Sequence, residues 1–297
     1  MSFSSKVKNE LIKKEYEKSC CKRSLLYGMA LFSKSFSFSE LHFQSENDKI
    51  TRLFKKLLLE LCNVRCSIRV SPSGKNYSII IDDKTACAKV MTYFHHTKQE
   101  RSLRINHSNF VCNECVNAFI AGAFLSTGTV SSPEKDYHLE FTVPYLNLTK
   151  SLVTLLQELE LEPKLTSRKG YHVIYFKDSE AIEDFLYIMG ASASMFDMMN
   201  IKIVKEIRNS ANRRANCETA NIEKTVNAAG EQLEAIVKIK KKKGLDFLSE
   251  PLREMAEIRL KNPDLSLSEL GGMFNPPLSR SGVNHRLNRI IKISKEL

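Results

Sequence analysis

The sequence predicts an α+β protein: a duplicated αββαββα domain with pseudo-twofold symmetry, followed by a linker helix and a small all-α domain. Three observations predict it. The chain contains an internal repeat, each copy alternates between helical and strand periodicity in the same order, and the C-terminal segment divides into three short helices with capping signals.

Residues 1–19 form an N-terminal helical segment ahead of the repeat. The first copy, about residues 20–110, runs from "SLLYGMALFSKSF" through "ELHFQSEN", "ITRLFKKLLLELC" and "CSIRVSPSGKNYSIIIDD" to "ACAKVMTYF". The second, about 111–200, runs from "AFIAGAFLSTGTV" through "YHLEFTVP", "LTKSLVTLLQELE" and "PKLTSRKGYHVIYFKD" to "AIEDFLYIMG". Gly28 and Gly122 occupy corresponding places, 94 residues apart. Leu53, Leu57, Leu58 and Leu61 follow helical spacing, as do Leu152, Leu155, Leu156 and Leu159, whereas Tyr171, Val173 and Tyr175 alternate like a half-buried strand. "SPSGKN" and "SRKG" supply hairpin turns, each with a glycine free to take positive φ.

Residues 201–244 predict linker helices, with Val226, Ala229, Leu233, Ile236 and Ile239 on one stripe and Gly244 as the stop. From residue 245 to 297 a helix begins at Ser249 and Pro251 and ends at "NP". The spacing of Ser266 and Glu269 is that of a capping box, "NPP" interrupts the second helix, and Ser279 caps a third.

Composition narrows the function classes. The chain of 297 residues is 42% hydrophobic, enough for a real core, and carries a net charge of +11. Residues 201–297 hold 19 Lys+Arg against 12 Asp+Glu, so +7 of that excess lies in the last third and favours a polyanionic partner. No apolar stretch approaches the roughly 18 residues of a membrane span, and the first residues lack the apolar segment of a secretion signal, so a cytoplasmic, nucleoid-associated protein is expected. No membrane partner and no small-molecule substrate are expected.

Eight cysteines in a reducing compartment read as free thiols. Cys112 and Cys115 form a C-x-x-C that could be set against Cys62 and Cys66 as a zinc site. The tight paired knuckles of structural zinc are absent, however, and Cys20, Cys21, Cys87 and Cys217 fit no scheme. No metal and no cofactor are therefore expected. His95, His96 and His107 read as surface residues.

In the third helix of the tail, Val283, Leu287 and Ile290 make a packing stripe and leave Arg280, Ser281, Asn284, His285 and Asn288 on the other side. These side chains can hydrogen-bond base edges, arginine to guanine and asparagine to adenine. Arg286, Arg289, Lys292 and Lys295 flank them, and Ser279 to Lys295 contains no acid, which suits a helix lying among phosphates. The pattern is that of a helix-turn-helix whose third helix enters the major groove of double-stranded DNA, with Ser266, Ser268 and Ser279 in support. Further along the linker, Arg208, Asn212, Arg213, Asn216, Cys217 and Asn221 share a helix face. The arginines and asparagines among them are candidate contacts to DNA or to another domain, or else a hydrogen-bonding seam on the first domain. The block Lys240 to Lys243 reads as a solvated run or a phosphate contact.

"FIAGAFLSTGTV", Phe119 to Val130, resembles the signature helix of the LAGLIDADG homing endonucleases. In that family two such helices pack side by side, and an acid before each final glycine holds a divalent metal. Here Thr127 stands at the acid position of the second copy and Ser33, followed by Lys34, at that of the first. The small residues Gly28, Ala30, Ala121 and Gly122 keep the packing half of the motif. A pair of neutral hydroxyls cannot offset the charge of two metal ions, so no catalytic residue is assigned and no enzyme activity is expected. Glu40, Asp136 and Glu140 are near in sequence, but none sits at a helix end. Lys164, Arg168, Lys169 and Lys177, with Arg65, Arg69 and Lys75, are candidate phosphate contacts on the strands.

"SLSELGGMF" with "SRSGVNHRLNRI" strongly resembles the C-terminal helix-turn-helix of the WhiA family. "RNSANRRANCETANIEKT" and the opening "FSSKVKNEL" resemble the same family's internal and N-terminal stretches. The resemblance covers essentially the whole chain. It implies a degenerate LAGLIDADG homing-endonuclease-like domain at 20–200 and a helix-turn-helix DNA-binding domain at 245–297. The implied function is that of a non-enzymatic transcription regulator in cell division, chromosome segregation or sporulation, with other transcription or division proteins as candidate partners. The alternatives are a division or chromosome-organisation adaptor in which DNA contact is secondary, and a divergent metal-dependent nuclease.

Overall fold

The structure, a computed structural model, describes residues 2–297 and divides into two compact units, one ending at Lys205 and the other beginning at Glu206. In the first unit, α1 (Phe3–Lys13) precedes two copies of one motif. The first copy is α2 (Ser19–Leu31), β1 (Ser35–Phe36), β2 (Leu41–Ser45), α3 (Asp48–Cys62), β3 (Arg69–Val70), β4 (Tyr77–Ile81) and α4 (Lys84–Tyr93). The second is α5 (Asn113–Thr127), β5 (Gly128–Val130), β6 (Leu139–Val143), α6 (Leu146–Gln157), β7 (Lys164–Arg168), β8 (Tyr171–Phe176) and α7 (Ser179–Met189). The sheets have equivalent antiparallel orders, β1-β2-β4-β3 and β5-β6-β8-β7, so the duplication expected from sequence is present in topology as well as length.

Each element follows from its residues. β6 buries Leu139, Phe141 and Val143 and leaves Glu140 and Thr142 partly exposed, the period of two of a sheet with one covered face. Asn47, Asp83 and Asp178 cap α3, α4 and α7 with side-chain oxygens that accept from first-turn N–H groups. Between β7 and β8, Lys169 and Gly170 both take positive φ, 51° and 82°, the left-handed pair that closes a two-residue hairpin. Two expectations shift. The buried stripe of α3 is carried by Ile50, Phe54, Leu57 and Leu58, with Leu53 and Leu61 on its flanks. α6 stops at Gln157, so Leu159 lies beyond the helix.

At the centre of the unit α2 crosses α5. A Cβ on Gly28 would lie 2.1 Å from the Phe119 carbonyl oxygen, and one on Gly122 would lie 2.1 Å from the Leu25 carbonyl oxygen. Neither site accepts a side chain without separating the two backbones. The N-terminal segment is part of this unit, because α1 buries Val7 and Leu11 in its core. The Glu10 carboxylate accepts hydrogen bonds from the Ala193 and Ser194 amides at 2.8 and 2.9 Å and from the Ser194 hydroxyl at 2.6 Å. It thereby caps the first turn of α8 (Ser192–Lys242) from a distant element.

α8 is a single continuous helix of 51 residues that starts before the expected linker. In the second unit its last turns join α9 (Glu250–Lys261), α10 (Leu267–Gly272) and α11 (Arg280–Glu296) around a separate core. The buried stripe of α8 is Gln232, Ala235, Ile236 and Ile239. Val226 is 62% exposed, because only the C-terminal turns of the helix meet the trihelical module. Lys238 and Lys242 donate to the Ser294 and Leu297 carbonyls, both at 2.6 Å, satisfying the C-terminal end of α11 with positive charge. Part of the basic run is thus structural. A Cβ on Gly271 would meet the Leu278 carbonyl oxygen at 2.2 Å, so the approach of α10 to the residue leading into α11 requires glycine there.

Candidate nucleic-acid interface

The second unit fixes the rotation of α11 before any ligand arrives. Ser266 accepts from the Glu269 amide at 3.4 Å while the Glu269 carboxylate accepts from the Ser266 amide at 2.8 Å, a complete capping box that starts α10. Ser279 accepts from the Gly282 amide at 3.2 Å and starts α11. Val283, Leu287 and Ile290 are wholly buried, so the opposite side of the helix is set outward. Arg280, Ser281, Asn284, His285, Asn288, Arg289 and Lys292 are all exposed, and among the described residues no carboxylate pairs with any of them. Seven polar or cationic side chains on a helix held by three apolar anchors make a surface that can donate to phosphates and base edges without first breaking an internal ion pair.

Two residues differ from the expectation. Arg286 is half-buried, its guanidinium stacked 5.3 Å from the Phe274 ring centre and Nη1 donating to the Pro251 carbonyl at 3.5 Å. It braces α11 against the turn and α9. Lys295 is held by Glu231 at 3.0 Å. Sequence reasoning missed Arg259, which is 2% exposed and donates from Nη1 to the Leu265 carbonyl at 2.6 Å, fixing the loop before α10. Burial lowers the pKa of its guanidinium below the ordinary value. No local pattern marks it, since its partner lies beyond the helix end. Ser266, the N-cap of α10, and Ser268 on α10 are exposed, and Ser279 precedes α11.

On α8, Arg208, Asn212, Arg213, Asn216, Cys217 and Asn221 are exposed. Their bonds stay within the helix: Arg213 Nε donates to the Asn209 carbonyl at 3.3 Å, and Asn221 Nδ2 to Cys217 Sγ at 3.7 Å.

In the first unit, the ends of the two signature helices border a cleft of about 620 Å³ lined by Ser33, Thr127, Ser126, Glu46 and Lys8 among others. The hydroxyls turn inward. Ser33 donates to the Ser35 carbonyl at 2.8 Å, Ser126 to the Phe32 carbonyl at 2.9 Å, and Thr127 to the Ala123 carbonyl at 3.4 Å. Glu46, which sequence reasoning passed over, is the one carboxylate among the lining residues described. It faces the charge of Lys8, whose pKa is lowered by burial to about 8 even with Glu46 acting to raise it. An ammonium group from α1 therefore shares the cleft bordered by Ser33 and Thr127. Glu140 is also engaged. Burial pushes its pKa up, but hydrogen bonds from His138 at 2.9 Å and Arg168 at 2.8 Å outweigh this and hold it below the usual carboxylate value. Arg168 is correspondingly ion-paired, with its side chain still exposed. Lys164, Lys169, Lys177, Arg65, Arg69 and Lys75 are exposed.

One histidine departs from its surface reading. His96 is 3% exposed, bonded through Nδ1 to Glu100 at 2.7 Å and through Nε2 to the Tyr27 hydroxyl at 3.0 Å. The C-x-x-C at Cys112 and Cys115 does not meet Cys62 and Cys66. The fold sets it against Cys20 and Cys21 at the paired ends of α2 and α5.

Family profiles match the WhiA LAGLIDADG-like domain over residues 116–208, which spans the second copy of the motif, and the WhiA C-terminal HTH domain over residues 211–294. The curated "Probable cell division protein WhiA" of Clostridium botulinum (strain Hall) is 41% identical, covering 100% of this chain and 99% of that protein. The protein of the same name from Caldicellulosiruptor saccharolyticus is 38% identical over 100% of this chain and 96% of its own. Among solved structures, full-length WhiA from Thermatoga maritima superposes with a TM-score of 0.60 at 24% identity, covering 100% of this chain and 99% of that one, and carries the same fold.

Proposed function

The chain belongs to the WhiA family, and on that premise we propose that it is a sequence-specific DNA-binding regulator of cell division that does not cut DNA. Its finer roles would be transcription control, chromosome segregation and, in spore formers, sporulation. The observation that carries this reading is the exposed, acid-free face of α11 on a helix-turn-helix anchored by Val283, Leu287 and Ile290. In this reading Arg280, Asn284 and Asn288 read base edges, while Arg289 and Lys292 contact phosphates. Arg208, Asn212, Arg213, Asn216 and Asn221 would add backbone contacts along α8. The cleft of the first unit, lined by hydroxyls at Ser33 and Thr127 and an ammonium at Lys8, with Glu46 as its single carboxylate, supports the absence of cutting.

Selection of bound fragments from sheared genomic DNA by the purified protein, at stated salt, tests the proposal. A shared sequence among the enriched fragments supports it, and enrichment indifferent to sequence rejects it. In parallel, supercoiled plasmid incubated with the protein and magnesium should stay supercoiled. Nicking that disappears in a Glu46→Gln variant would favour the nuclease alternative.

A further inference from the structure

Outside the interface, the N-termini of α2 and α5 lie side by side. Cys20, Cys21, Cys112 and Cys115 come together there, with all four sulfurs within 4.8 Å of one another. The Cys112 sulfur lies 3.7 Å from that of Cys20, 3.6 Å from that of Cys21 and 3.6 Å from that of Cys115. All four are free thiols. A tetrahedral ion with metal–sulfur bonds of roughly 2.3 Å separates its sulfurs by roughly 3.7 to 3.8 Å, close to the spacing found here. We infer that these four cysteines form a tetrathiolate site for a single zinc ion, which clips the two signature helices together at their N-terminal ends.

The symmetry of the fold explains why the site exists. Cys21 and Cys115 stand 94 residues apart, the offset that also relates Gly28 to Gly122, so they are equivalent residues of the two copies. Each donates its amide to the residue three before it: Cys21 to the Lys18 carbonyl at 3.1 Å, and Cys115 to the Cys112 carbonyl at 2.9 Å. The same turn thus presents one buried sulfur from each helix, 2% and 0% exposed. Cys20 and Cys112, both half-buried, complete the set unsymmetrically.

A zinc tetrathiolate carries two negative charges, and the environment suits them. Cys20 and Cys21 lie in the first turn of α2. Cys112 is the N-cap of α5 and Cys115 lies in its first turn, so both helix N-termini converge on the sulfurs. The Glu114 carboxylate, 3.8 Å from Cys21 Sγ, opposes that charge, and Lys18 at the rim offsets it by pairing with Glu114 at 3.3 Å. The four ligands come from segments more than 90 residues apart in the chain, so metal binding would tie copy to copy in the folded state alone and stabilise the fold. Soft thiolates in tetrahedral array select zinc over the hard cations.

Metal analysis of the full chain, purified without added metal or chelator, tests the inference. One zinc per chain is expected, released stoichiometrically by a thiol-binding mercurial. Replacement by cobalt should give the visible bands of a tetrahedral tetrathiolate. Cys21→Ser and Cys115→Ser should each lose the ion, whereas Cys66→Ser and Cys217→Ser should retain it. If the buried variants fail to fold, Cys20→Ser and Cys112→Ser give the same reading, as a cobalt spectrum shifted to three sulfurs. Metal-free protein with four freely titrating thiols would overturn the inference, as would a disulfide within the cluster or iron with acid-labile sulfide.

Discussion

Asn284 and Arg280 sit one turn apart on α11, and both owe their exposure to Val283 and Leu287 being buried. Replacing either by alanine should cost about 1 to 3 kcal/mol at particular base pairs and relax the preference there. Arg289→Ala or Lys292→Ala should weaken all sequences alike and reduce the salt dependence by about one phosphate contact each. Quantitative binding to a set of single-base variants separates the two classes; equal losses across the set for Asn284→Ala would remove it from base reading. The outward face of α11 was legible in the sequence because it depends only on a local helical period and a cap. The brace between Arg286 and Phe274 was not, since it reaches back across a turn whose shape no period fixes.

Lys8 gives a second prediction at this scale. Its folded pKa of about 8 lies below the ordinary lysine value of 10.5, so the unfolded chain binds more protons between those limits. Stability should therefore rise as pH climbs from about 8 to 10.5, and at neutral pH the charged ammonium is a destabilising group. Lys8→Met should stabilise the first unit by up to about 2 kcal/mol at pH 7, with the advantage shrinking toward pH 10. Denaturant midpoints at the two pH values measure this. A constant difference would mean that the charge of Lys8 is not what the cleft opposes.

Among the elements, the crossing of α2 and α5 is set by reciprocal glycines, each lying against the other helix's backbone. Gly122→Val should force those backbones apart and destabilise the first unit by about 3 kcal/mol or more. The same change at Gly230, an exposed helical position where nothing lies within 4 Å of a Cβ, should leave stability unchanged or raise it by a few tenths of a kcal/mol, roughly the gap between the helix propensities of glycine and valine. Thermal unfolding of both variants checks this, and equal melting points would contradict the close approach. Order and type of the repeated elements could be read from sequence, because Gly28 with Gly122 and the leucine periods align one copy on the other. The same offset also relates Cys21 to Cys115, yet spacing alone suggested Cys62 and Cys66 as partners for the C-x-x-C. Which sulfurs meet depends on two helices packing N-terminus beside N-terminus, a tertiary fact with no local signature. α8 starts earlier than its stripe implied because Glu10, far away in sequence, satisfies its first amides.

At the scale of the whole molecule, the cleft at the ends of the two signature helices is lined by hydroxyls, the Lys8 ammonium and the single carboxylate of Glu46, while a separate unit carries the exposed basic helix. The central claim is that base reading resides in α11 and cutting in neither unit. Footprinting on a selected genomic fragment, in magnesium, tests it most directly by comparing the native chain with a variant carrying Arg280→Ala, Asn284→Ala and Asn288→Ala together. The account expects the native chain to protect one defined site on an uncut strand and the variant, still folded, to lose that protection. Protection of the same site by the variant, or strand cleavage within the site by the native chain, would contradict it.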